Sequence, residues 1–90
     1  MTDNANPQDV LFVSLISQFQ ASAMIGLGQV PNPVTNKTEK SLEHAKYAID
    51  VLGMLEKKTK GNLNDEETKV LQQALSGLRM AYVEEVNKDK

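Results

Sequence analysis

The chain has no cysteine and no tryptophan, one histidine, and aromatics at only 4% of its 90 residues. Without cysteine there is no disulfide scaffold, no thiolate zinc site and no thiol nucleophile. His44 alone cannot build a histidine cage for a metal. No sign of charge dominates either: ten Lys and Arg against twelve Asp and Glu give −2, so no global field draws the chain toward nucleic acid or anionic lipid. Ninety residues suit a single domain, and a hydrophobic content of 40% is ordinary for a folded one.

Charge is also missing locally. From Val10 to Asn36 no side chain is charged, whereas residues 37–61 carry six lysines and four acids. A membrane span over Val10–Gly28 is disfavoured, because Ser14, Ser17, Gln18, Gln20 and Ser22 interrupt it and neither a basic flank nor an aromatic belt frames it. A secretory signal is disfavoured as well: Ala21-Ser22-Ala23 has the small-residue look of a cleavage site, but the preceding segment holds Asp3 and Asp9 and no basic residue. The expected compartment is therefore the cytoplasm.

A buried helix accounts for the segment best. At 100° per residue Phe12, Leu15, Ile16, Phe19, Ala23 and Leu27 share a sector about 120° wide, the stripe a bundle helix buries. Val10, Val13, Met24 and Ile25 fall outside it. Burying them contributes about 1.5–3 kcal/mol each, comparable with the roughly 4–15 kcal/mol that association costs. The sequence thus predicts a homo-oligomer whose interface includes Val10, Val13, Ser17, Ala21, Met24 and Ile25.

The fold class expected is all-α: a long apolar first helix over about 9–29, then an antiparallel hairpin of helices at about 42–60 and 65–87, assembled as a homo-oligomeric bundle. Residues 1–8 read as a flexible tail and 88–90 as a frayed end. Pro31-Asn32-Pro33 stops the first helix. Ser41 is placed to cap the second, which presents Leu42, Ala45, Ile49, Leu52 and Leu55 at three- and four-residue steps. Lys57, Lys58 and Lys60 suit its negative end, and Gly61 its left-handed exit. Asn64 with Glu67 forms a capping box for the third helix, whose stripe is Leu71, Ala74, Leu75, Leu78, Tyr82 and Val86.

Several of these residues also carry a family likeness: Pro31-Asn32-Pro33 with Thr35 and Lys37, Ala45-Lys46, Ile49-Asp50, the run Leu52-Gly53-Met54-Leu55-Glu56-Lys57-Lys58-Thr59-Lys60-Gly61-Asn62-Leu63, and Leu78-Arg79-Met80 with Tyr82. Over roughly residues 10–86 the chain resembles the bacterial family catalogued as domain of unknown function eighteen-forty-four. Asn36 departs from it, since the family often has glycine after the threonine. The resemblance implies a small bacterial helical protein and brings no activity, cofactor or catalytic residue.

The residues themselves give no catalytic constellation. His44 reads as a surface histidine, and Asp65-Glu66-Glu67 as helix capping, since it lacks the ligand spacing of a calcium loop. No phosphate loop or nucleophile elbow is present, so no enzyme, cofactor or metal site is expected. Asp50 and Arg79 form the polar pair of interest. In an antiparallel hairpin they lie about 15 and 22 Å from the turn, close enough for a bidentate pair that pins the register. By the same measure Tyr82 is level with Leu42, within reach of the 31–40 connection.

The function expected is a homo-oligomeric interaction or scaffold module, with Pro31, Asn32, Pro33, Lys58, Lys60 and Asn62 as exposed contact loops. The alternative is a module whose first helix docks on a membrane or an unknown protein partner. Nucleic-acid binding through Lys37, Lys40, Lys57, Lys58 and Lys60 is the weakest reading, for want of charge and stacking groups.

Overall fold

In a computed structural model, which describes residues 7–88 and the side chains from Val10 onward, the chain forms three helices: α1 Pro7–Gly26, α2 Leu42–Lys58 and α3 Asp65–Lys88. The fold is all-α, with no named strand among the described residues. Residues 1–6 and 89–90, which hold most of the expected tail and frayed end, lie outside the described residues.

Each boundary has a local cause. α1 ends about three residues earlier than its hydrophobic pattern suggests, and the prolines are not what ends it. Gly28 takes φ +80, its N–H donates to the Ile25 carbonyl at 3.0 Å, and the Gln29 N–H donates to Met24 at 3.0 Å. These paired bonds close the helix in a Schellman motif, which needs the left-handed conformation that glycine adopts freely. α2 opens as expected: Ser41 is extended, and its hydroxyl accepts the His44 N–H at 3.3 Å. It ends at Lys58 rather than Lys60, because the Thr59 hydroxyl donates to the Leu55 carbonyl at 2.6 Å and Gly61 turns the chain at φ +89. At α3 the capping box forms in full. The Glu67 N–H donates to Asn64 Oδ1 at 2.7 Å, and the Asn64 N–H donates to Glu67 Oε1 at 3.0 Å.

Between α1 and α2 the chain makes a small closed loop. Asn32 and Lys37 pair as an isolated bridge, the Asn32 N–H donating to the Lys37 carbonyl at 2.9 Å. Inside it, Asn32 Oδ1 accepts the Val34 N–H at 2.8 Å and Asn36 sits at φ 59. An asparagine tolerates that left-handed conformation better than most residues.

The core draws on all three helices. Ile16, Ala23 and Leu27 meet Ala45, Ala48, Ile49 and Leu52 of α2 and Leu71, Ala74, Leu75 and Leu78 of α3, with Phe12, Phe19, Leu42, Leu55 and Tyr82 packed around them. α1 touches both other helices, most extensively α2. The two backbones come close at Gly26, where an added Cβ would lie 2.8 Å from the Ala45 nitrogen and 2.9 Å from the Ser41 carbonyl oxygen. The Gly26 carbonyl also accepts the Ser41 N–H at 2.7 Å, tying the end of α1 to the cap of α2.

Because both clashing atoms are backbone, Gly26→Ala must push the helices apart. It is expected to destabilise the fold by about 1–3 kcal/mol, lowering the thermal midpoint by about 4–8 °C per kcal/mol in a chain this size. Asn64→Ala, which removes a cap without any clash, is expected to cost about 1 kcal/mol. Denaturant unfolding of the two variants checks the order.

Candidate interaction surfaces

The outward side of α1 is a stripe of exposed residues at three- and four-residue steps: Val10, Ser14, Ser17, Gln18 and Ala21, with Leu11 beside them. Val10 is 57% exposed and Leu11 69%. Val13 and Ile25 are half-buried along the edges. Met24 departs from the expected surface, since it packs against the core. The reason is that α1 contacts α2 and α3 together, so a wider sector of its circumference is covered than a single contact would cover. The expected interface thus divides into open Val10, Ser17 and Ala21, partly covered Val13 and Ile25, and inward Met24.

The two contact loops do not combine into one surface. Pro31 and Pro33 are exposed, while Asn32 is half-buried by its bridge. Val34, which the sequence pattern did not single out, is 89% exposed at the loop's tip. Lys58, Lys60 and Asn62 are also exposed, but they sit at the other end of α2, a separation of roughly 25 Å along the helix.

The polar pair is also different from the one expected. Asp50 is held by Lys46, one turn earlier on its own helix, at 2.8 Å. This hydrogen bond and charge raise the Lys46 ammonium above its ordinary pKa. No carboxylate among the described residues pairs with Arg79, whose guanidinium instead lies beside Gly53. An intrahelical i,i+4 partner is close without any interhelical register having to be met, which favours it over a distant arginine. Tyr82 packs against the core and lines the same hollow as Lys46. The link to the connection is made by Glu85 instead. Its Oε1 takes Lys40 Nζ at 3.1 Å, and its Oε2 takes Lys88 Nζ at 3.1 Å. His44 is exposed, as expected, but its Nε2 lies 3.0 Å from Ser22 Oγ and joins α2 to α1.

A second surface went unseen in the sequence. Between α2 and α3 runs a groove whose hollows measure about 430 and 680 Å³. Arg79 lines both hollows; the first adds Ile49, Gly53, Met54 and Lys57 from α2, the second Leu75, Met80 and Val83 from α3 with Glu56 from α2, and α1 contributes to neither. Met54 is 43% exposed, Met80 66% and Val83 56%. The signal available was their position: all three lie off the inward stripes of their helices. Among the described residues no three His, Cys, Asp or Glu side chains are grouped to hold a metal ion, and no helix is long and apolar enough to cross a membrane.

A family model described as "Domain of unknown function (DUF1844)" matches residues 9–84. The chain belongs to that family. All three helices and both connections fall within the matched segment, apart from the first two residues of α1 and the last four of α3. No curated protein and no solved structure matches the chain.

The Glu85 carboxyl is held below its ordinary pKa, first by the hydrogen bond from Lys88 and then by that from Lys40. A depressed carboxylate stabilises the fold at neutral pH, and that contribution disappears as pH falls through the depressed value. The thermal midpoint of the native chain should therefore fall more between pH 6 and pH 3 than that of Glu85→Gln, as followed by circular dichroism.

Proposed function

We propose that this protein is a homo-oligomeric interaction module in which the outward face of α1 packs on the same face of a second copy. The observation that carries the reading is that an exposed helix face, on a chain that is 24% charged, has no charged side chain. Depletion of charge is what separates the centre of an interface from ordinary surface. Ser14, Ser17 and Ala21 are small enough for a second helix to approach closely, and Val10 and Leu11 supply apolar area at one end.

Two copies bring four of these larger side chains, and covering them contributes about 4–8 kcal/mol. That lies in the lower part of the association cost, roughly 4–15 kcal/mol, with half-buried Val13 and Ile25 adding to it. The gain is smaller than the sequence alone suggests, because Met24 is already used in the core. Behind this face, α2 and α3 serve as an antiparallel hairpin. The short 59–64 connection and the Lys40–Glu85 ion pair at 3.1 Å support that arrangement. The role proposed is assembly in the cytoplasm, with no catalytic step.

Light scattering on a sizing column tests the reading. The native chain should elute as a discrete dimer or larger species. Ala21→Glu, which places a charge in the middle of the stripe, should give a helical monomer of 9.9 kDa. A native monomer, or an assembly indifferent to Ala21→Glu, would contradict it.

A further inference from the structure

The α2–α3 groove is separate from the α1 face and raises its own question of what it receives. Around the 430 Å³ hollow stand Lys57, Lys58 and Arg79, against one carboxylate, Asp50. Asp50 is already paired with Lys46. The charge left unmatched at this point is therefore positive. Glu56 and Glu84 line the neighbouring hollow, which limits the cationic part to one stretch of the groove.

Arg79 is seated in a particular way. Its Nη2 would be 3.1 Å from a Cβ at position 53, so it occupies the space that Gly53 leaves open in α2. Glycine in mid-helix is otherwise unfavourable. The result is a planar guanidinium laid on the groove with no carboxylate partner among the described residues, its fork able to accept one from outside. On either side of it are Met54, Met80 and Val83, exposed methionines and a valine of the kind that adapts to a partner's side chains.

From this arrangement we infer that the groove binds a helical segment of another protein, one that sets an Asp or Glu on Arg79 and apolar side chains against Met54, Met80 and Val83. A groove between two helices suits an amphipathic helix, whose anchors recur at three- and four-residue steps. The apolar flanks favour a polypeptide over a free anion, which would use Arg79 and leave them in water. This inference rests on a different face from the proposed assembly, so a monomeric result for the chain leaves it intact.

A phage-displayed library of random peptides, about 16 residues long to give four turns of helix, is panned on the full chain. Enriched peptides should carry Asp or Glu three or four positions from Leu, Met or Phe. They should bind Arg79→Gln at least about tenfold more weakly, the usual loss for a hydrogen bond to a charged group. Met80→Asp, which sets a like charge against the acidic peptide at an exposed position, should also bind poorly while remaining folded. Amide shifts on peptide addition should centre on Gly53 and Val83. The inference is overturned by a pool without acidic enrichment, by no pool above background, or by equal binding to Arg79→Gln. It is equally overturned if inorganic phosphate or anionic vesicles produce the same amide shifts.

Discussion

Gly26 is where the architecture is decided. Two helix backbones approach there more closely than any side chain would permit, with the Ala45 nitrogen 2.8 Å from the site of a missing Cβ. The same residue's carbonyl holds the Ser41 N–H, and Ser41 in turn caps α2. One contact therefore sets the depth at which α1 lies on α2 and the residue at which α2 begins. α1 seated there buries Ile16 and Ala23, with Leu27 just past its end, in the core. Its opposite side is left in solvent.

That seating explains why the surface is divided as it is. α1 has no charged residue after Asp9, so its exposed stripe lacks the solvated charges that cover the outer sides of α2 and α3. The surface of α2 and α3 has the opposite character: charged, yet with Met54, Met80 and Val83 exposed beside hollows to which α1 does not contribute. An uncharged face suits a second copy of itself, because symmetry brings like against like and charge there would repel. A groove with an unmatched arginine suits an acidic partner. Under the two proposals the surfaces take different occupants, a second copy of the chain on one and an acidic helical segment on the other.

Much of this architecture is legible in the order of the amino acids. The capping box at Asn64 and Glu67, the Ser41 cap and the left-handed Gly61 are local motifs, and local motifs are fixed by residues a few positions apart. The inward stripes are legible for the same reason, except at Leu15 and Val86, which are half-buried outside the core cluster. What the sequence hides depends on distance and depth. Met24 turns inward because α1 meets two helices, and no periodicity records how many neighbours a helix has. Asp50 takes Lys46 instead of Arg79, since axial level alone says nothing about which partner is nearer. The groove is hidden because it exists only once α2 and α3 lie side by side, although Met54 and Met80 already stand off their stripes.

The central claim, that two α1 faces meet, is tested most directly by cross-linking, which the absence of native cysteine makes unambiguous. A disulfide forms only when Cα atoms come within roughly 7 Å. Ser17→Cys, in the middle of the exposed stripe, should therefore join two chains into a covalent dimer under mild oxidation. Lys58→Cys, equally exposed at the far end of α2, should stay monomeric under the same conditions. Cross-linking at Lys58→Cys and not at Ser17→Cys, or at neither, would contradict the account.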